Sequence, residues 1–348
     1  MKTPHHHQAM AVILGGGVAK GAFEAGALEV LTQAHGADLA QVIGTSSGAL
    51  NALLLAAAVR AGRAHDGARQ LLDLWRRKGD WRNAFAVKLG HLVRGRGLST
   101  SDGIYNLARQ YVDPFATAPK RHPVRLDLVA TSSRGVVRQV RGENVITYEA
   151  RFCFDEAAFD TADGRERVYR AAAASAAFPI AYEPVEIPEF GPCYDGGLTN
   201  DAPISLAAAG PAHRVVAVVP YPATPPPFPD VAIGPRLLAH WIELLIHERL
   251  YRDLAAAASA NAVLERLQAL ERRGALEADQ LEDVRQAIGY RRLELVTIRP
   301  AAPLPGGPFA GLFDARLRSR YIEEGRRAAA VALENPAMPA AATAATAA

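Results

Sequence analysis

Ser46 lies in a Gly-Thr-Ser-Ser-Gly segment, residues 44–48, that matches the pattern G-x-S-x-G. An apolar run precedes the segment (residues 39–43), and a long alanine- and leucine-rich stretch follows it (residues 49–59). In such a strand–turn–helix setting, the pattern predicts a tight turn that holds a serine hydroxyl beside the first amides of a helix. Only very small residues two positions either side of the serine let strand and helix approach so closely. The segment therefore predicts a serine nucleophile.

A glycine-rich loop stands upstream of this serine. Residues 15–21, Gly-Gly-Gly-Val-Ala-Lys-Gly, follow the apolar run 11–14 and open a predicted helix. Glycines at a helix N-terminus leave backbone N–H groups that can bind an oxyanion or a phosphate. Dinucleotide-binding loops look similar, but they need an acidic residue after the second strand to bind the ribose, and Ser46 stands there instead. The loop therefore favours an oxyanion over a nucleotide.

Asp195 begins an Asp-Gly-Gly segment after another predicted strand. Such a segment is often only a turn, but its carboxylate could also serve as the base for Ser46. A Ser-His-Asp triad is the alternative, with His213, His240 or His247 as its histidine. His240 and His247 are spaced by about two helical turns, which is equally typical of surface histidines on one helix face. In hydrolases with such a triad the serine turn comes after several strands. Here it follows the second, so a Ser-Asp dyad is favoured.

The elements that must position these residues follow from hydrophobic patterning. The opening strand–helix–strand–helix order predicts a parallel sheet covered by helices. Apolar runs predict further strands at residues 126–131, 193–195, 214–219 and 293–298, and antiparallel strands at 136–140 and 145–148. Helices are expected at residues 68–77, 168–176, 235–270, 278–288 and 317–333.

Composition bounds the class of protein. The chain has 348 residues, of which 49% are hydrophobic and 22% charged, with a net charge of +3. This charge is too small to indicate a nucleic-acid partner. The N-terminus lacks an apolar signal sequence, and the longest apolar stretch, residues 49–59, is too short to cross a bilayer. We therefore expect a cytoplasmic protein.

The order of the three motifs resembles that of the patatin-like phospholipases. The resemblance covers about residues 12–206 and includes Ala-Ser-Ala-Ala-Phe-Pro at 174–179, ahead of the aspartate. It also includes Asn200 and Pro203 after the Asp-Gly-Gly segment. The glycine loop departs from the family pattern because two residues, not one, separate Gly17 from Lys20. Either one residue is inserted, or Val18 occupies the position of the third glycine.

The resemblance implies a three-layer α/β/α fold with a mainly parallel central sheet. With it, we expect a flexible tail (1–9), a catalytic core (10–208), a C-terminal part of the same domain (209–333) and, from its alanine-, threonine- and proline-rich composition, a disordered tail (334–348). Ser46 would be the nucleophile and Asp195 the base, with no metal or cofactor. The remaining expected site residues form the oxyanion hole (Gly16, Gly17, Val18 and Lys20, the last of which could instead face solvent) and the two turns (Gly44, Gly48, Gly196 and Gly197).

The implied substrates are acyl esters of phospholipids or related lipids at a membrane surface, so peripheral membrane contact is expected. The stretch 75–97 carries seven basic residues against a single acid, with aromatic residues among them, including Trp75 and Trp81. It could lie on an anionic lipid surface as a lid, or be a solvated loop. Besides a triad esterase, the alternative is a catalytically silent membrane-binding protein on the same fold.

Overall fold

The strands and helices are taken from a computed structural model that describes residues 9–84, 86–87, 99–140, 142–179, 181–224, 235–288 and 291–334. The strands are β1 (Met10–Leu14), β2 (Leu39–Thr45), β3 (Ala86–Val87), β4 (Ser99–Thr100), β5 (Arg125–Val140), β6 (Glu143–Phe154), β7 (Val185–Ile187), β8 (Gly191–Asp195), β9 (Arg214–Val218) and β10 (Glu294–Ile298). The helices are α1 (Gly21–His35), α2 (Ser47–Arg60), α3 (Ala64–Lys78), α4 (Trp81–Ala84), α5 (Asp102–Ala116), α6 (Ala162–Ser175), α7 (Ile204–Ala208), α8 (Pro235–Arg272), α9 (Ala278–Ile288), α10 (Ala310–Phe313) and α11 (Ala315–Glu334). Short 3₁₀ helices cover Val18–Lys20, Glu156–Phe159 and Gly196–Leu198.

Within these ranges the central sheet has 8 strands, in the order β10-β9-β1-β2-β5-β8-β7, and β6 pairs with β5 outside that path. Strands β10, β9, β1, β2 and β5 run parallel to one another. The pairings of β6, β7 and β8 are antiparallel. The parallel strands read as nearly continuous apolar runs because both of their faces are covered. The mainly parallel sheet predicted from the sequence is confirmed.

Helices cover both faces of this sheet. Val12, Leu14 and Val42 point into one core, which they share with residues of α1, α2, α3, α5, α6 and α11. Ile13 and Ile43, their neighbours along the strands, point into a second core with residues of α7 and α8. Successive strand residues face opposite sides, so one apolar run fills both cores. This is the expected three-layer α/β/α arrangement.

Strand β5 is longer than the sequence predicted. The expected strands 126–131 and 136–140 are a single strand, which pairs with β6 along most of its length. The register shifts between Thr131 and Val136, so an irregularity lies where the sequence indicated a break. The expected tails, residues 1–9 and 334–348, lie outside the described residues except for Ala9 and Glu334. None of the helices in the described ranges combines the length and hydrophobicity needed to cross a membrane.

Candidate active site

Strands β2 and β8 run toward each other along the same edge of β5. Thr45, the last residue of β2, pairs with Val129, and Asp195, the last residue of β8, pairs with the next residue, Ala130. The other edge of Ala130 is occupied by β6. Because β2 and β8 must share the remaining edge, the residue that follows β2, Ser46, meets Asp195.

Ser46 occupies a strained turn at the start of α2. Its φ of 56° and ψ of −130° lie in a region that residues other than glycine rarely adopt. Small neighbours make the turn possible: a Cβ at Gly48 would lie 2.4 Å from the carbonyl oxygens of Leu14 and Gly15, and one at Gly44 would lie 2.6 Å from Ala52 Cβ. The predicted tight turn is present, with the serine beside the N-terminus of a helix.

The side chains of Ser46 and Asp195 are hydrogen-bonded. Ser46 Oγ donates to Asp195 Oδ2 at 2.6 Å, and both residues are buried. The second carboxylate oxygen, Oδ1, accepts from the Gly197 amide at 2.8 Å, and the Thr131 hydroxyl donates to the Asp195 backbone carbonyl. The carboxylate is thus held by its own turn and directs one oxygen at the serine.

Ser175 supports the same turn, a role that was not predicted from the sequence although segment 174–179 contains it. Its hydroxyl accepts from the Ser46 amide at 3.0 Å and donates to the Val129 carbonyl at 2.5 Å. It pairs an N–H at a helix start that would otherwise have no partner. The available signal was a lone hydroxyl in an alanine run at the end of α6.

Burial controls the ionisation of Asp195. Desolvation raises the pKa of its carboxyl to about 6, while the hydrogen bonds from Ser46 and Gly197 lower it. A carboxylate with a pKa near 6 is still ionised at neutral pH, and it is a stronger base than one at the ordinary value of 3.8. The site therefore holds a hydroxyl next to a basic, water-shielded acceptor.

The glycine loop differs from expectation at Gly16. The Gly16 amide donates to Asp201 Oδ1 at 2.6 Å, a contact between residues 185 positions apart. The prediction that Gly16 donates to an oxyanion is corrected, because its N–H already has an acceptor. Gly17 and Val18 have φ values of 157° and 50°, and no described residue accepts a hydrogen bond from their amides. The positive φ of Val18 favours the interpretation that it occupies the position of the family's third glycine.

Lys20 is buried, with a relative exposure of 6%. Its Nζ lies 5.1 Å from the centroid of the Tyr221 ring, a distance at which a cation is attracted by the ring. The alternative interpretation of Lys20 as a solvent-facing lysine is therefore wrong. A buried cation beside the glycine loop adds positive potential to this end of the sheet.

A narrow cavity of about 130 Å³ opens onto Ser46 and Asp195. Its lining also includes Val18 of the glycine loop and is otherwise mostly hydrophobic, with side chains from α2, α3, α5 and α10. The hydrophobic lining residues include Leu50, Leu71, Leu74, Trp75, Ile104, Leu107, Phe178, Phe309 and Leu312. An apolar chain placed here would have its end at the Ser46 hydroxyl.

Trp75 lies in the wall of this cavity and not on a surface loop. It is buried in α3, and its indole N–H donates to Asn51 Oδ1 at 3.0 Å. Asn51 in turn donates to Glu24 Oε2 at 2.7 Å, and burial raises the pKa of Glu24 well above its usual range. Neither alternative given for the stretch 75–97, a lipid-facing lid or a solvated loop, holds for Trp75, and residues 85 and 88–97 of that stretch lie outside the described residues.

None of the histidine side chains that the structure describes lies at this site. His213 is exposed and precedes β9, at the opposite end of the parallel strands from Ser46, and it contacts Arg291. The side chains of His240 and His247 lie outside the described part of the structure. Within the described ranges, no three histidine, cysteine, aspartate or glutamate side chains are grouped as metal ligands would be.

Comparison with known proteins adds a family match. Residues 12–208 match the model of a family described as patatin-like phospholipase. Similar solved structures include VipD from Legionella pneumophila (13% identity, TM-score 0.39, 94% of this chain and 67% of that one). They also include the type III effector protein ExoU, at 14% identity and a TM-score of 0.35. That match covers 94% of this chain and 53% of ExoU, so this chain spans about half the length of ExoU. No curated protein matches the chain. With TM-scores this low, the family assignment depends on the family model.

Proposed function

The chain belongs to the patatin-like phospholipase family, and we propose that it is a serine lipid acyl hydrolase that acts through Ser46 and Asp195. The observation that carries the proposal is the 2.6 Å hydrogen bond from Ser46 Oγ to Asp195 Oδ2 at the end of an apolar cavity. A nucleophile within hydrogen-bond reach of its base is the geometry that covalent catalysis requires.

In the first half of the proposed reaction, Ser46 Oγ attacks the carbonyl carbon of a bound ester. Its proton passes to Asp195 Oδ2 as the new C–O bond forms, so no free alkoxide is needed. Collapse of the tetrahedral intermediate breaks the bond to the leaving alcohol, which takes the proton back from Asp195. The product is an acyl ester on Ser46.

The amides of Gly17 and Val18 are the proposed oxyanion donors. They lack acceptors among the described residues, and Val18 lines the same cavity as Ser46. Each well-placed donor lowers the activation free energy by roughly 2.7–4 kcal/mol. Lys20 and the N-terminus of α2 would add positive potential at the same end of the sheet. The Gly16 amide is not one of the proposed donors, because it donates to Asp201.

Water completes the proposed cycle. Asp195, again ionised, accepts a proton from a water molecule that attacks the acyl-enzyme, and the collapse of the second intermediate returns this proton to Ser46 Oγ. One carboxylate thus acts as base and acid in turn, and no histidine is required.

The proposed substrate class follows from the cavity. Its mostly hydrophobic walls suit a fatty-acyl chain, and Lys78 is among the residues that line it. The headgroup side of a lipid would stay outside, which fits a protein that works in the cytoplasm and binds membranes peripherally. The family membership supports a lipid substrate over a small soluble ester.

The test is to profile the products released from phospholipid vesicles. The purified protein is incubated with vesicles of mixed phospholipids, and the lipids are measured by mass spectrometry. Free fatty acids and lysophospholipids should accumulate together in equal amounts, and the Ser46→Ala variant should release neither. Vesicle binding without any released fatty acid would contradict the proposal and favour a catalytically silent membrane-binding protein.

A further inference from the structure

Asp201 is a buried carboxylate that the proposed reaction does not use. It lies six positions after Asp195, between the 3₁₀ helix Gly196–Leu198 and α7, and it has no solvent exposure. Its Oδ1 accepts from the Gly16 amide at 2.6 Å. Hydrogen bonds to ionised acceptors are roughly twice as strong as neutral ones. This contact ties the segment after Asp195 directly to the glycine loop.

The burial of Asp201 is unfavourable for folding. Its second oxygen, Oδ2, has no hydrogen-bond partner among the described residues. Desolvation, with the negative charges of Asp195 and Asp253, raises the pKa of its carboxyl to about 7, although the Gly16 hydrogen bond lowers it. A buried group that costs stability and has one well-made contact indicates that the contact itself serves the site.

Gly16 is enclosed between Asp201 and Ser46. A Cβ at Gly16 would lie 2.5 Å from Asp201 Oδ1 and 2.9 Å from Ser46 Cβ. The backbone of the loop is therefore pressed against the nucleophile on one side and held by Asp201 on the other. Val18, two positions further on, has a φ of 50°, which a β-branched residue rarely adopts.

We propose that Asp201 is a positioning residue for the oxyanion hole, because its carboxylate fixes the Gly16 amide and so keeps the next two amides beside Ser46. The proposal rests on the proposed function for its consequence in catalysis. To hold the Gly16 amide, residue 201 must present a hydrogen-bond acceptor at the position of Asp201 Oδ1, and its negative charge is not required. Asparagine presents an oxygen at the same place, so it should preserve the loop, whereas alanine should not.

The test compares Asp201→Asn with Asp201→Ala on a short-chain p-nitrophenyl ester. A displacement of about 1 Å in a catalytic group can cost about 100-fold in rate, so Asp201→Ala should lower kcat by that factor and leave KM within about twofold. Asp201→Asn should keep kcat within about tenfold of wild type, since one charged hydrogen bond becomes a neutral one. Asp253→Asn is the control, because it removes a neighbouring charge without touching the loop. It should leave both constants unchanged.

A second readout does not depend on turnover. In protein labelled with ¹⁵N-glycine, the Gly16 amide proton should resonate downfield in wild type and in Asp201→Asn, and should move upfield in Asp201→Ala. If wild type hydrolyses no ester, the proposed function fails, and this measurement still decides whether Asp201 holds the loop. Asp201→Leu, whose side chain branches at Cγ as the carboxylate does and accepts no hydrogen bond, replaces the alanine variant if that variant unfolds.

Three results would overturn the proposal. The first is a kcat for Asp201→Ala equal to that of wild type. The second is equal loss of kcat in the alanine and asparagine variants, because the acceptor would then not be what matters. The third is an unmoved Gly16 amide resonance in folded Asp201→Ala.

Discussion

Ser46 and Asp195 stand at the meeting point of two strands that approach each other along one edge of β5. Strand β2 ends at Thr45, level with Val129, and β8 ends at Asp195, level with Ala130. The contact between nucleophile and carboxylate is therefore set by sheet register, not by a flexible loop. Sites built on strands in this way hold their geometry more precisely than sites on loops.

The pH dependence of activity should follow the ionisation of Asp195. The base must be a carboxylate, and burial raises its pKa to about 6. We expect kcat/KM for p-nitrophenyl butyrate to fall about tenfold per pH unit below pH 6 and to be flat above about pH 7, because kcat/KM reports the free enzyme. An unchanged rate at pH 4.5, with the fold intact by circular dichroism, would contradict the assignment.

Asp195→Asn should stabilise the protein at alkaline pH. The pKa of Asp195 is raised on folding, so the stability it contributes is present at low pH and lost as the pH rises from about 4 through about 6. The ionised group then costs on the order of 3 kcal/mol, given a rise from 3.8 to about 6.

Urea unfolding of wild type and Asp195→Asn at pH 8 and pH 4 measures this cost. The variant should be more stable at pH 8 and equal to wild type at pH 4. Substitution of an exposed carboxylate, Asp283→Asn, should change neither midpoint. Equal stabilities at pH 8 would show that the Asp195 carboxylate is not strained by burial.

In the glycine loop, we expect position 18 to tolerate glycine and position 16 not to tolerate alanine. Val18→Gly keeps the amide and relieves a positive φ, so kcat on a short-chain ester should stay within about threefold and the free energy of unfolding should rise by about 1 kcal/mol. Gly16→Ala has no space for its methyl group, and its kcat should fall by at least about 100-fold. A large loss in Val18→Gly would indicate that the valine side chain, and not its amide, matters.

Acyl-chain preference should depend on the walls of the cavity. Leu107→Trp adds volume to a lining position on α5, so hydrolysis of long-chain p-nitrophenyl esters should fall more than tenfold while the acetate ester is unaffected. Leu107→Ala is the matched control that widens the cavity, and it should not impair long chains. A uniform loss across chain lengths in Leu107→Trp would argue against acyl binding in this cavity.

The sequence predicted the parts of the site that local pattern encodes. The apolar runs predicted β1, β2 and β9, and the spacing of small residues predicted the turn at Ser46. Contacts between distant segments could not be predicted from local pattern. No pattern near Asp201 indicates that it accepts from the Gly16 amide, and none near Ser175 indicates that it accepts from the Ser46 amide. Trp75 was grouped with its basic neighbours in the stretch 75–97, although its spacing from Leu71 and Leu72 continues the buried face of α3.

The most direct test of the Ser46–Asp195 dyad is the rate of covalent labelling by a fluorophosphonate, followed by intact-protein and peptide mass spectrometry. Wild type and His213→Ala should be labelled once, at Ser46, at equal rates. Asp195→Asn should be labelled about 100- to 10,000-fold more slowly, since it lacks the base. Labelling of Asp195→Asn at the wild-type rate, or labelling at a residue other than Ser46, would contradict the dyad.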